Sequence, residues 1–148
     1  MTEKFQIINA SAGSGKTFSL ASNVIMKLLS GDEDSYKKIL ALTFTNNSAN
    51  EMKNRILDEL SQISKDPSKS IIYQETKLKS LFKEQQISKK ATKVLNKILH
   101  NFSFFQISTI DKFNHRLIRS FSNDMSLSSD FDLVIESEEF SENLALEF

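Results

Sequence analysis

With 148 residues, 39% hydrophobic and 26% charged, the chain is ordinary in composition and long enough for one domain with a core. It has no cysteine and only two histidines, His100 and His115. That excludes disulfides, cysteine-ligated metals, a cysteine nucleophile and a histidine-rich metal site, and it suits a cytoplasmic location. No apolar run reaches the roughly eighteen residues of a membrane helix, and the N-terminus passes at once into a Gly-Ser loop rather than a signal peptide.

The net charge of zero hides an asymmetry. Nine lysines fall between Lys65 and Lys97, against Asp66, Glu75 and Glu84. After Arg119 there is no Lys or Arg, while Asp124, Asp130, Asp132, Glu136, Glu138, Glu139, Glu142 and Glu147 follow. A basic middle is a candidate surface for nucleic acid, although lysine-rich helices are more often simply solvated faces.

In chain order, Phe5–Ile8 reads as a short strand. It leads into Ala10-Ser11-Ala12-Gly13-Ser14-Gly15-Lys16-Thr17, a phosphate-binding loop of the form small-x-x-x-x-Gly-Lys-Thr, with Ala10 where the strict pattern has Gly. The helix that follows carries Leu20, Val24, Met26, Leu28 and Leu29 near one side. Strand, loop and helix are the context such a motif requires. Gly13 and Gly15 let the backbone curl and aim successive N–H groups inward, and the helix start adds the positive end of its dipole. Lys16 would reach the β and γ phosphates of ATP, and Thr17 would offer its hydroxyl to Mg²⁺.

Gly31 stands in the position of a helix stop, followed by a polar connector from Asp32 to Lys38. Ile39–Phe44 is apolar at nearly every position and reads as a buried parallel strand. Asn46 or Asn47 can cap the next helix, Ser48 to about Ser64, with Met52, Ile56, Leu57, Leu60 and Ile63 inward. Residues 70–101 read as further helices, with one stripe at Leu78, Leu81 and Phe82 and another at Val94, Leu95, Ile98 and Leu99. Phe104–Ser108 reads as a second buried strand. Thr109 or Asp111 can cap a helix to about Phe121, with Phe113, Leu117, Ile118 and Phe121 inward. Residues 122–129 read as a linker, Phe131–Ile135 as a short strand, and an acidic helix is expected to start near Ser137.

The alternation predicts an α/β domain with a parallel sheet, whose ligands lie at the carboxyl ends of strands. Residues 10–17, Thr43-Phe44-Thr45-Asn46 and Ser108-Thr109-Ile110-Asp111 all fall at such ends, so three polar loops are expected to converge on one edge.

With those segments in hand, the chain resembles the UvrD/Rep-type superfamily 1 DNA helicases, and most closely the RecB/AddA-like helicase–nuclease subunits. Ile8–Phe18 is similar to that group's motif I, where Ala-Ser-Ala-Gly commonly precedes Gly-Lys-Thr. Ile39–Ile56 is similar to motif Ia along its whole length. Ile107–Ile118 is similar to the next motif, with Asp111 where His is usual. The resemblance covers most of the chain, with its motifs in family order.

It implies a partial RecA-like P-loop domain over residues 1–121, with a lysine-rich helical insertion at 65–101, and at 122–148 an acidic linker that opens the next subdomain. It implies ATP and Mg²⁺ at Ala10, Ser11, Ala12, Gly13, Ser14, Gly15, Lys16, Thr17 and Phe18, with Lys16 and Thr17 in the catalytic role and Thr17 on the metal. It implies single-stranded or duplex DNA as partner, along a track at Thr43, Phe44, Thr45, Asn46, Ser108, Thr109 and Phe113. Hydroxyls and amides there suit phosphates, and Phe44 offers a stacking face. The further partners it implies are the C-terminal helicase domains and a nuclease partner, with no membrane. The chain would then be the N-terminal piece of a longer protein, or a truncated gene product, with the Mg²⁺-binding acidic pair and second-domain arginines of such motors beyond residue 148. Two alternatives stay open. One is a self-contained small P-loop kinase, with Asp111 or Glu136 as the acid and Arg116 and Arg119 as lid arginines. The other is a nucleotide-binding module without catalysis.

Overall fold

Helix α1 (Lys16–Ser30) turns Ala21, Val24, Ile25, Leu28 and Leu29 into the core. This face differs from the expected one: Leu20 is 47% exposed and Met26 half-buried. The row at three- and four-residue spacing runs through Ala21 and Ile25, which leaves Leu20 on its far flank. The computed structural model describes residues 15–121, which fall into two units, Met1–Thr109 and Ile110–Phe148. The expected strand at Phe5–Ile8, loop residues Ala10–Ser14, and everything expected of residues 122–148 lie outside the described residues.

Gly31 does end α1, its N–H donating to the Lys27 carbonyl at 3.0 Å. Its φ of −83° is open to any residue. The glycine is needed for space, because a Cβ there would run into the Ser35 side chain. The polar connector winds into a 3-10 turn, Ser35–Lys38, and buries Tyr36 completely.

Strand β1 (Leu40–Thr43) leads through Thr45 into α2 (Asn46–Lys65). Met52, Ile56, Leu60 and Ile63 are buried as expected, and Leu57 is half-buried. Pro67 prevents continuation of α2 and starts a 3-10 turn, Pro67–Lys69. Two short helices follow, α3 (Ile71–Glu75) and α4 (Leu78–Leu81). The buried Ser70 hydroxyl caps α3 by accepting from the Tyr73 N–H at 3.1 Å, and donates to Glu59 Oε2 at 2.8 Å.

Helix α5 (Glu84–His100) packs along α2 through Ile87, Ala91, Val94 and Ile98. Leu99 and Leu81, expected inward, are 55% and 59% exposed. In each case a neighbouring residue occupies the inward arc of the helix. Phe102–Phe104 then forms a 3-10 turn, so Phe104, expected to open a buried strand, is instead 53% exposed. Strand β2 (Gln106–Thr109) follows.

β1 and β2 pair in parallel, with Leu40 opposite Gln106, Ala41 opposite Ile107, Leu42 opposite Ser108 and Thr43 opposite Thr109. Side chains alternate across a strand, so Ala41, Thr43, Ile107 and Thr109 share one face and Leu40, Leu42, Gln106 and Ser108 the other. Helix α2 packs on these strands. Ile107 and Thr109 are buried, whereas Leu40 and Leu42 are 47% and 39% exposed. β1 is therefore not buried on both faces, contrary to its apolar pattern.

In the second unit, α6 (Ile110–Ser120) follows β2 without an intervening loop. Its expected inward residues are only partly covered: Phe113 and Ile118 are half-buried, and Leu117 and Phe121 are 44% and 50% exposed. It is the only element described in that unit, and one helix cannot bury its own apolar stripe.

Candidate functional site

The carboxyl ends of β1 and β2 hold two of the three segments that the strand pattern points to, although the expected loop Ser108–Asp111 is strand passing directly into helix. Parallel pairing in this register places Thr43 beside Thr109, and brings Thr43–Asn46 and Ser108–Thr109 to one end of the sheet. The turn after β1 is tied by its own hydroxyls. Thr43 Oγ1 donates to the Thr45 carbonyl at 3.0 Å. Thr45 Oγ1 accepts from the Ser48 N–H at 3.1 Å and shares a hydrogen bond with Ser48 Oγ at 2.8 Å.

Thr45, with extended φ −112° and ψ 151°, is thus the cap of α2, in place of Asn46 or Asn47. Those two residues already lie in the first helical turn, where the backbone no longer suits a cap. Both are exposed. Ser48 has a part in the turn that sequence reasoning missed; the Thr-x-x-Ser spacing from cap to third helical position was the available signal.

Within that turn Phe44 is 87% exposed, so it is no core residue. Thr43 and Ser108 are half-buried, Thr45 is exposed, and Thr109 is buried at 4%. Phe113 belongs to the second unit, on α6.

Of the glycine loop, the described part is its end. Gly15 adopts the left-handed conformation, φ 78° and ψ 20°, with α1 beginning at Lys16 and the Ser19 N–H returning to the Gly15 carbonyl at 2.9 Å. A left-handed residue before a helix turns successive N–H groups into one concavity, the geometry of an anion nest. Among the described residues no side chain caps α1. Thr17 and Phe18 are half-buried. Phe18 also lines a cleft of about 220 Å³ with Ser19, Ser22, Asn23, Glu75 and Thr76. The buried Ser22 hydroxyl there has no hydrogen-bond partner among the described residues.

An ion-pair cluster joins the turn after α1 to α5. Lys97 Nζ lies 3.0 Å from Asp34 and 3.3 Å from Glu33, and Lys93 Nζ lies 3.0 Å from Glu33. Lys37 pairs with Asp34 at 2.9 Å and Lys38 with Asp32 at 3.1 Å. Hydrogen bonds from Lys93 and Lys97 lower the pKa of Glu33; those from Lys37 and Lys97 lower that of Asp34. The bonds to Asp34 and Glu33 raise that of Lys97. Part of the basic middle is therefore neutralised internally. Among the described residues no group of His, Cys, Asp or Glu is placed to hold a metal ion, and no helix is long and apolar enough to cross a membrane.

Comparison with known proteins agrees with these features. The chain is 36% identical over 107 residues to the RecB protein of the RecBCD enzyme of Chlamydia muridarum, an alignment covering 72% of this chain and 10% of that protein. It is 31% identical over 130 residues to the A subunit of the ATP-dependent helicase/nuclease of Staphylococcus haemolyticus, covering 88% of this chain and 10% of that one. The Lactococcus lactis protein of the same name is 28% identical over 133 residues, covering 90% and 9%. The chain thus spans about a tenth of the length of these relatives. No solved structure matches it. The family model for the UvrD/REP helicase N-terminal domain matches residues 1–146, and the chain belongs to that family.

Proposed function

We propose that this chain is the ATP-binding N-terminal segment of an ATP-dependent DNA helicase of the helicase–nuclease type, acting in recombination and repair. It contributes the nucleotide loop and part of a single-strand track. The observation that carries the reading is the parallel register that sets Thr43 against Thr109. Through it, two segments 66 positions apart in the chain, each similar to a family DNA motif, end side by side.

The residues present fit ATP and Mg²⁺. The left-handed Gly15 at the start of α1 suits a phosphate group. In this reading Ala10–Thr17 and Phe18 hold the nucleotide, Lys16 meets the β and γ phosphates, and Thr17 ligates Mg²⁺. The metal supplies charge neutralisation on the transferred phosphoryl group when it is bound. Phe44 stacks on a base, while Thr43, Thr45, Asn46 and Ser108 meet the strand's backbone. Thr109, at the end of β2, and Phe113, on α6, are the further DNA contacts in this reading. Residues 1–121 form the first part of the ATP-binding domain, 65–101 its helical insertion and 122–148 the approach to the next subdomain. The relatives carry the names of RecBCD and helicase/nuclease proteins, which supports a DNA motor. Since the chain spans a tenth of them, the acidic pair, the second-domain arginines and any nuclease partner are supplied from outside it.

The test is a titration of the 148-residue chain with a fluorescent ATP analogue and Mg²⁺. Weak binding with negligible turnover, lost in Lys16→Ala, is expected. Robust turnover abolished by Lys16→Ala would overturn the reading in favour of a self-contained kinase.

A further inference from the structure

The lysines of the helical insertion fall into two groups. Lys69, Lys93 and Lys97 pair with Asp66, Glu33 and Asp34 at 3.0–3.3 Å. Lys65, at the end of α2, makes no ion pair among the described residues, and neither do Lys77, Lys79, Lys83, Lys89 and Lys90. Of the last five, Lys79, Lys83 and Lys90 surround Phe82 where α4 meets α5, and Lys77 and Lys89 flank them along the chain. Lys77 stands just before α4, Lys79 lies within it, and Lys83 stands at the cap position of α5. Lys90 Nζ lies 5.2 Å over the Phe82 ring. Lys79 and Lys83 line an open groove of about 920 Å³ with Leu81, Phe82 and Gln86. Glu84 is the one acid lining that groove.

Like charges around one groove repel one another and keep a cloud of counterions. A polyanion that displaces those ions gains the free energy of their release. The groove is open, and lysine ammonium groups act as point charges on flexible stems, with Lys79 Nζ donating to Gln74 Oε1 at 2.7 Å. That suits a repeating phosphate backbone better than a single ligand needing a fixed geometry.

We propose that the α4–α5 corner is a second, sequence-independent contact for the nucleic-acid backbone, separate from the strand-end track. The inference rests on the DNA reading above, and its test is built so that each can fail alone.

The full 148-residue chain is titrated with a labelled single-stranded oligonucleotide and with the same sequence as a duplex, at about 50 mM and about 200 mM salt. One variant carries Lys79→Gln, Lys83→Gln, Lys89→Gln and Lys90→Gln. A second carries Lys27→Gln, Lys38→Gln, Lys53→Gln and Lys69→Gln, removing equal charge elsewhere. A third is Phe44→Ala. Arginine at the four corner positions serves as rescue.

The corner variant is expected to lose about tenfold or more in affinity at the lower salt. Its log–log salt slope should be shallower by about 0.7–0.9 for each phosphate no longer neutralised. The arginine variant should keep both, and the charge-matched control should stay near the parent. Preference for strand or duplex identifies which form of the backbone the corner meets. A folded corner variant with the parent's affinity and slope would overturn the inference and leave the strand-end track standing. Equal loss in the control would overturn it too, as would polyglutamate binding with the same lysine dependence while DNA does not bind. A loss in the corner variant with none in Phe44→Ala would overturn the strand-end track instead.

Discussion

Thr43 and Thr109 face each other as the last residues of two parallel strands, and the chain leaves both at the same end of the sheet. Beyond Thr43 the backbone turns at once, and the ring of Phe44 stands 87% exposed between two ordered residues. An aromatic ring left in water on a tied turn contributes little to the core. Phe44→Ala should therefore change unfolding free energy by under about 0.5 kcal/mol. It should weaken single-strand binding by about 1–3 kcal/mol, the usual worth of one base–aromatic stack. Chemical denaturation and fluorescence anisotropy of the same sample separate the two effects. A large loss of stability with unchanged binding would place the ring in the core.

The turn itself depends on Thr45. Its hydroxyl accepts from the Ser48 N–H at 3.1 Å, an N–H that would otherwise be unsatisfied at the start of α2. Thr45→Ala should cost about 1 kcal/mol, while Thr45→Ser should restore most of it. Asn46→Ala should cost less than Thr45→Ala, because Asn46 lies inside the helix. Urea midpoints of the three variants order these effects, and an Asn46→Ala loss exceeding that of Thr45→Ala would contradict the capping geometry.

The existence of β1 and β2 and the inner face of α2 were legible because hydrophobic period survives without tertiary information. Met52, Ile56, Leu60 and Ile63 repeat at helical spacing and are all buried. Gly31 was legible as a stop, though its reason, room for Ser35, was not. What the pattern cannot report is which layer covers an apolar residue. Leu40 and Leu42 read as core and are exposed, since α2 packs over the face that carries Ile107 and Thr109. Nor can it choose between Thr45 and Asn46 as the cap, which turns on one residue's extended backbone. The ion pairs were hidden for a third reason. Lys93 meets Glu33 across 60 positions of sequence, so a lysine run gives no sign of which members are neutralised.

That clamp has a pH signature. Asp32 and Asp34 have pKa values lowered from 3.8 and Glu33 from 4.5, through hydrogen bonds from Lys38, Ser35, Lys37, Lys93 and Lys97. A carboxylate with a folded pKa below its unfolded one gives stability that is present above the unfolded value and lost as pH falls through the folded one. Lys97, raised above 10.5, contributes below that pH and loses its effect as pH rises through its folded value. The contribution should be level between about pH 5 and about pH 9 and decline below about 4.5. Melting temperatures of the parent and of Glu33→Gln/Asp34→Asn across this range provide the check. Between about pH 3 and about pH 9 their difference should shrink only on the acid side, and a difference that persists unchanged to about pH 3 would show that charge pairing is not its source.

Gly15 offers a cleaner separation of backbone from side chain. Its φ of 78° is left-handed, yet a Cβ added there would meet nothing within 4 Å. Substitution is therefore penalised by conformation alone and not by a clash. Gly15→Ala should cost about 1–2 kcal/mol if α1 keeps its start, or else shift the backbone and disturb the N–H groups aimed at a phosphate. Asn tolerates the left-handed region through its short polar side chain, so Gly15→Asn should cost less. Nucleotide affinity should fall in the same order, glycine above asparagine above alanine. Lys16→Ala should abolish binding while changing stability by under about 0.5 kcal/mol. Thermal melts and nucleotide titrations on the three variants give both scales. Equal affinities for Gly15→Ala and the parent would mean that the left-handed turn before α1 has no part in holding the phosphates.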